Sequence, residues 1–160
     1  MRDKNTKYDF VPCASCMSRL FDTYMNTKPS QNLSFYLHSD YSTHCFEYAK
    51  RFPLLFNKDN KTFEEIIQFI ADPEILVTNS YHGAYWGALL QKRVVPVSWS
   101  DKNGNCWFSD KFKQFPFKHT VCANLDELPM CVENTEPNYG VLEFSRQKNI
   151  EFKNKVMNNI

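Results

Sequence analysis

The side chains with the clearest chemical potential lie in one short polar segment, Asn79-Ser80-Tyr81-His82-Gly83, between an apolar run and a run of small and apolar residues. A serine or asparagine here can accept a hydrogen bond from a helix amide, and an imidazole can bind an anion or transfer a proton. Gly83 has no side chain that would keep a phosphate oxygen away from backbone N–H groups. Residues 75–92 include no Asp or Glu that would neutralise the positive end of a helix starting here. The segment therefore predicts an anion-binding pocket.

The same residues also fit a purely structural role. Ser80 or Asn79 would then be an ordinary N-cap, His82 a structural residue, and Gly83 and Gly87 sites of close packing between helix and sheet. The two interpretations predict different surroundings for the His82 side chain. A binding site requires His82 to border a crevice, whereas the structural role would bury it among packed side chains.

A second candidate for chemistry is Cys13-x-x-Cys16, which is one half of a zinc-knuckle pattern. The cysteines at 45, 106, 122 and 131 form no second C-x-x-C, and His44-Cys45 is the nearest alternative pair. The spacing Cys13-x5-Arg19 would let a thiolate and a guanidinium share a phosphate loop, but the glycine and the following Ser or Thr of such a loop are missing. We therefore expect a small buried pair of reduced cysteines and no metal.

A parallel sheet with crossover helices is the architecture that would position the polar segment. The clearest helix follows Thr62, which forms a capping box with Glu65, and it ends before Pro73. The polar segment lies between predicted strands at 75–78 and 94–97, so a helix over 82–91 completes a βαβ unit whose crossover should be right-handed. Pro96 lacks an amide donor, which indicates that the second strand ends there or lies near an edge. Further strands are predicted at 33–37 and 53–56, with a helix at 43–51 between them.

These elements predict one α/β domain over residues 1–160, with a Rossmann-like parallel sheet of about four to five strands and helices on both faces. Its core covers about residues 31–100. An aromatic surface loop with one or two helical turns follows at 101–120, and a long helix over about 139–158 packs on the domain.

Composition excludes several classes of protein. The 160 residues hold 19 Lys and Arg against 18 Asp and Glu, a net charge of +1, so we expect no nucleic-acid partner. The four glycines stand singly and form neither a dinucleotide-binding nor a P-loop motif. The longest apolar run, residues 83–90, is far shorter than the roughly 18 residues of a spanning helix, and no secretion signal begins the chain. We expect no membrane span and a cytoplasmic location.

The block Ser80-Tyr81-His82-Gly83-Ala84-Tyr85-Trp86 after an apolar strand, with Lys92-Arg93-Val94-Val95 downstream, resembles the polysaccharide pyruvyl transferase family and related GT-B-type sugar-transfer enzymes. In that family a C-terminal Rossmann-like domain has a small-residue or Arg-x-His-Gly loop between a short strand and a helix. The likeness extends from about Tyr8 to Phe152. It includes Pro12-Cys13-x-x-Cys16-Met17, Ser109-Asp110-Lys111-Phe112 and Arg146-x-x-Asn149-x-x-Phe152.

The resemblance implies a site for the phosphate or nucleotide portion of an activated sugar or a polyprenyl-linked acceptor. Lys111 would add a second positive contact, and His82 would bind phosphate first, with general acid or base catalysis as a further role. A helix terminus and cations would stabilise the departing charge, so neither a metal nor another cofactor is implied. The remaining implied binding residues are Thr78, Asn79, Ser80, Tyr81 and Gly83.

A GT-B enzyme has two such domains facing across a cleft, so the resemblance implies an N-terminal partner domain outside these 160 residues. The implied partners are a nucleotide-sugar or phosphate-linked donor and a glycan acceptor in cell-surface polysaccharide synthesis, and pyruvyl and glycosyl transfer both stay open. The alternative is a non-catalytic α/β module, or an inactive fragment of such an enzyme. It would pack against a partner domain or a second copy through residues 107–117.

Overall fold

The computed structural model describes residues 11–38, 43–100, 106–107, 117, 121–123 and 125–158. Within these ranges one four-stranded, all-parallel sheet is flanked by helices, which confirms the predicted Rossmann-like α/β class. The sheet strands are β1 (Gln31–Leu37), β2 (Leu54–Phe56), β3 (Pro73–Thr78) and β4 (Arg93–Pro96). The α-helices are α1 (Leu20–Tyr24), α2 (Thr43–Ala49), α3 (Phe63–Ala71), α4 (Tyr81–Leu89), α5 (Leu128–Asn134) and α6 (Val141–Met157). Two 3-10 helices cover Ala14–Met17 and Leu125–Glu127.

The spatial order of the sheet is β2-β1-β3-β4, so β1 and β3 lie side by side at its centre. Phe35 of β1 is opposite Leu54 on one side and Val77 on the other, and Val77 is in turn opposite Val95. This row of apolar residues runs across all four strands. Apolar runs of this kind are typical of parallel strands that are covered on both faces.

Two apolar clusters cover the two faces of the sheet. On one face Tyr36, Leu76 and Val94 pack with residues of α1, α3, α4 and α6. On the other face Phe35 and Val77 pack with residues of α2 and α5. The sheet is therefore the middle of three layers, and the helix α4 that follows the polar segment is packed on the first face.

Local signals placed the helix α3 correctly. The Thr62 hydroxyl accepts a hydrogen bond from the Glu65 amide, and the Glu65 side chain accepts one from the Thr62 amide. This is the predicted capping box, and it holds the pKa of Glu65 down at about 2 because that carboxylate accepts from the Thr62 amide and from Lys61. The helix ends at Ala71, and Pro73 begins β3.

The predicted position of Pro96 is confirmed. Among the described strands, β4 is at one edge of the sheet and Pro96 is its last residue. Beyond the strand, Val97 forms an isolated parallel bridge with Cys122, whose amide donates to the Pro96 carbonyl at 2.9 Å. Pro96, which has no amide donor, thus lies where the regular pairing of β4 ends and a single bridge follows.

The aromatic segment is only partly described. Residues Cys106–Trp107 form the strand β6, which pairs antiparallel with β5 (Trp99–Ser100). A strand pair therefore stands at the start of the segment where we expected a surface loop with helical turns. The rest of the predicted loop, apart from Phe117, lies outside the described residues.

The C-terminal helix α6 has about the predicted extent, and its first half packs on the domain. It begins after Gly140, which adopts a left-handed conformation with φ of 75°, and it buries Val141, Leu142 and Ser145. From residue 150 onward its side chains are exposed, including Phe152 at 48%. A helix of 17 residues is about 25 Å long, so its second half extends past the helices that bury its first turns. No helix in the described ranges is long and apolar enough to cross a membrane.

Candidate functional site

The chain order reverses between β1 and β3. From β1 the chain steps outward through α2 to β2, whereas from β3 it steps in the opposite direction through α4 to β4. The helices α2 and α4 lie on opposite faces of the sheet, so the two crossovers have the same hand. In open α/β sheets, ligands bind in the crevice that forms at the carboxyl ends of such a strand pair. The β3–α4 turn (residues 79–83) is at this crevice.

Two hydroxyl groups shape the turn. The Thr78 hydroxyl donates to the Tyr36 carbonyl of β1 and accepts from the Ser80 amide at 3.0 Å. The Ser80 hydroxyl in turn accepts from the Gly83 amide at 3.3 Å, which makes Ser80 the N-cap of α4, as predicted. Thr78 is fully buried and Ser80 is 8% exposed. Both side chains therefore act by positioning the backbone of the turn.

Asn79 joins the turn to the end of the neighbouring strand. Its side-chain oxygen accepts from the His38 amide at 2.6 Å, and Asn79 itself is fully buried. His38 is the first residue after β1, so the bond ties the carboxyl ends of the two central strands together. The contact therefore joins β1 and the β3–α4 turn at the switch point.

Gly83 is a glycine because the helix passes very close to the sheet. A Cβ atom on Gly83 would lie 2.5 Å from the Tyr36 ring and 2.6 Å from the Thr78 hydroxyl. Gly87, one turn later, would place a Cβ atom 2.8 Å from Val94. The close-packing interpretation of both glycines is therefore supported, and the absence of a side chain at 83 is explained by the neighbours beneath it.

His82 is exposed, whereas its neighbours in the turn are buried or half-buried. Its ring lies 5.3 Å from the Trp86 ring, centroid to centroid, and 5.8 Å from the Tyr81 ring. Trp86 also contacts Phe63 of α3 at 5.3 Å. The imidazole thus stands at the surface beside two aromatic rings, and it is not buried among packed side chains as the structural role would require.

The electrostatics of the turn favour an anion. The first turn of α4 has no acidic residue, and its amides point toward the carboxyl edge of the sheet. Burial raises the pKa of the Tyr81 hydroxyl, so it stays protonated at neutral pH. The groups around the helix terminus are therefore neutral or donors of hydrogen bonds.

An N-terminal segment, residues 13–18, packs directly on α4. The Trp86 indole donates to the Ser15 hydroxyl at 3.0 Å, and that hydroxyl donates to the Cys13 sulfur at 3.3 Å. The Tyr85 hydroxyl donates to the Cys13 carbonyl at 3.1 Å. Burial raises the pKa of this tyrosine well above its usual range. The segment supports the helix whose first turn holds the candidate site.

The same segment is clamped from the other side by α6. The Arg146 guanidinium donates to the carbonyls of Cys16 and Ser18, and it also binds both carboxylate oxygens of Asp22 at 2.7 Å. The Asn149 amide donates to the Pro12 carbonyl at 3.1 Å and to the Cys16 sulfur at 3.4 Å. Arg146 and Asn149 of the Arg146-x-x-Asn149 motif therefore have a structural role. We call the contacts that Arg146, Asn149 and Asp22 make with this segment the clamp.

The remaining predicted residues can be placed briefly. Lys111 lies outside the described residues. Cys13 and Cys16 are free thiols, and in the described part of the chain no cluster of three or more His, Cys, Asp or Glu residues could hold a metal ion.

Six of the seven predicted site residues therefore lie close together, at the end of β3 and in the turn that follows it, but they have different roles. Thr78, Asn79, Ser80 and Gly83 build the turn, Tyr81 is half-buried against the core, and His82 is exposed. Sequence reasoning missed His38, Ser15 and Trp86 as neighbours of the site. His38 could have been found, because it directly follows a predicted strand and carboxyl ends of parallel strands meet at one edge.

No protein-family model, curated protein or solved structure matches this chain. The family resemblance therefore remains a prediction.

Proposed function

We propose that this domain binds the phosphate or diphosphate portion of an activated donor in a glycan-modifying transfer, either pyruvyl or glycosyl. The observation that supports the proposal best is the position of α4. Its acid-free, serine-capped N-terminus lies at the switch point between β1 and β3, with His82 exposed beside it. Helix amides and an imidazole at such a point are suited to an anionic group.

In this proposal each residue has a separate task. The backbone amides at the start of α4 and the His82 imidazole contact the phosphate oxygens. Ser80 holds the amides in place through its bond to Gly83, and Asn79 joins the turn to the end of β1 through His38. Donors fixed in this way stabilise the charge that develops on a departing phosphate, because they need no reorganisation during the reaction. His82 is also exposed enough to exchange a proton with an acceptor hydroxyl.

The test is a binding titration with nucleoside diphosphate sugars and with inorganic pyrophosphate. We expect His82→Ala to weaken binding about tenfold, the value of one lost charge-assisted hydrogen bond. Ser80→Ala should weaken it by a similar factor because the amides lose their fixed position. Thr62→Ala is the matched control, since it removes the N-cap of a different helix, α3, and should leave the affinity unchanged.

Two results would contradict the proposal. One is that the wild-type chain binds neither probe at millimolar concentration. The other is that His82→Ala and Ser80→Ala both bind with the wild-type affinity.

A second candidate function is interaction with another protein domain. The second half of α6 favours it, because large apolar side chains that stay exposed there are available to a partner surface. The residues are Ile150, Phe152, Val156 and Met157. Light scattering at increasing protein concentration tests self-association, and a species that stays monomeric throughout would count against a second copy as the partner.

A further inference from the structure

The N-terminal segment contains two thiols on one turn of helix. Cys13 is the N-cap of the 3-10 helix Ala14–Met17, and the Cys16 amide donates to the Cys13 carbonyl at 3.4 Å. This bond closes a turn of four residues, and the first and last Cα atoms of such a turn lie less than about 7 Å apart. Disulfides span Cα distances of up to about 7 Å, so the turn brings the two cysteines within reach of each other. Both cysteines are free thiols.

The two thiols differ in access. Cys13 is partly exposed, whereas Cys16 is fully buried and accepts a hydrogen bond from Asn149. Burial raises the pKa of the Cys16 thiol, so this thiol stays protonated at neutral pH. A reagent from solution can therefore meet Cys13 first, and Cys16 is placed to react only with a neighbour on its own turn.

We propose that Cys13 and Cys16 are a redox-active dithiol that is oxidised to a disulfide by a small-molecule disulfide of the glutathione type. This chemistry does not depend on the ligand bound at α4. It differs from a structural zinc site, for which the pair would supply two of the four ligands required.

The reaction has two balanced steps. Cys13 loses its proton to solvent, and its sulfur attacks one sulfur of the reagent. The S–S bond of the reagent breaks, one thiolate leaves and takes up a proton, and a mixed disulfide remains on Cys13. Cys16 then attacks the Cys13 sulfur, the bond to the second reagent sulfur breaks, and the Cys16 proton passes to the thiolate that leaves. The two protein thiols are oxidised, and the reagent disulfide is reduced to two thiols.

Closure would alter contacts that reach α4. In the reduced form the Cys13 sulfur accepts from the Ser15 hydroxyl, and that hydroxyl accepts from the Trp86 indole. A bond to Cys16 turns the Cys13 sulfur toward its new partner and away from Ser15. The rings of Trp86 and His82 are neighbours. Formation of the disulfide would therefore change the hydrogen bonds of a residue that lies beside the first turn of α4.

The experiment uses the full 160-residue chain, fully reduced and then incubated with glutathione disulfide under native conditions. We expect intact-mass spectrometry to show a loss of about 2 Da, the mass of two hydrogen atoms. Peptide mapping after alkylation should locate the new bond between Cys13 and Cys16. Cys16→Ser should stop at one glutathionyl group on Cys13, and Cys13→Ser should leave the segment unmodified.

Cys131→Ser is the matched control, because it removes a buried thiol of the other core cluster and should react as the wild type does. Three results would overturn the proposal. The first is a wild-type dithiol that stays reduced in glutathione disulfide. The second is a mixed disulfide on Cys13 that never closes. The third is a purified chain that holds one zinc ion through both cysteines and reacts only after a chelator removes it. Because the mapping is done on the wild type, the answer does not depend on how the variants fold.

Discussion

The β3–α4 turn and the N-terminal segment both support α4, but they are held in place by different kinds of contact. The turn is fixed by bonds within itself and to β1, which the sheet already places beside β3. The segment is fixed by Arg146 and Asn149, which lie about 130 residues away along the chain. The turn therefore forms with the sheet, whereas the segment depends on the docking of α6. The segment should loosen under conditions that leave the turn intact.

The largest effect should come from filling the space beneath the turn. Gly83→Ala places a Cβ atom 2.5 Å from the buried Tyr36 ring, so the helix or the ring must shift. We expect a loss of about 2 to 3 kcal/mol in the free energy of unfolding, typical of an overpacked core. Urea denaturation measures it. His82→Ala at the adjacent exposed position should change the unfolding free energy by less than about 0.5 kcal/mol.

The opposite result would be informative. A Gly83→Ala variant as stable as the wild type would mean that α4 can move away from β1 and β3 at little cost. The β3–α4 turn would then be held no more rigidly than the N-terminal segment.

A smaller effect should follow from releasing the clamp. Arg146→Ala removes two hydrogen bonds to backbone carbonyls and a two-point contact with Asp22, and we expect a loss of about 2 kcal/mol. Alkylation of the buried Cys16 should become about tenfold faster, because the segment opens locally more often. Cysteine mapping after timed exposure to iodoacetamide measures this rate.

Lys148→Ala is the matched control on the same helix. Lys148 forms an exposed pair with Glu151, and such pairs contribute less than about 1 kcal/mol. If Arg146→Ala and Lys148→Ala have equal effects on stability and on the alkylation of Cys16, the clamp does not hold the segment.

The smallest effect should be a pH dependence of the clamp. The hydrogen bonds from Arg146 hold the pKa of Asp22 below its usual range. A carboxylate with a lowered folded-state pKa contributes stability that is present above its unfolded pKa, about 4, and is lost as the pH falls through the folded value. The difference in unfolding free energy between wild type and Arg146→Ala should therefore narrow from about pH 5 toward pH 2.

Urea denaturation at several pH values, at constant ionic strength, measures the difference in unfolding free energy between the wild type and Arg146→Ala. A difference that stays constant over this range would mean that Asp22 contributes nothing to the clamp and that the carbonyl contacts of Arg146 act alone. In the described part of the chain, the Ser80 amide and hydroxyl bond to Thr78 and Gly83 and to no carboxylate, so Ser80→Ala should differ from the wild type by the same amount at each pH.

Much of the fold was predictable because its signals are local. The capping box of Thr62 and Glu65, the apolar run of β3 and the serine cap of α4 depend on residues within a few positions of each other. The candidate site could be predicted to lie at one turn, because the carboxyl ends of parallel strands meet at one edge of the sheet. What the pattern did not reveal was which residues of that turn face outward.

The sequence by itself determined the alternation of strands and helices, the cap at Ser80 and the absence of acidic residues near the start of α4. Only the tertiary structure decided that Gly83 is pressed against Tyr36, that His38 binds Asn79, and that α6 grips the segment around Cys16. The reason is physical. Local structure follows from interactions between neighbours along the chain, whereas these contacts join residues about 40 to 130 positions apart and exist only after the sheet and α6 have closed the loops between them.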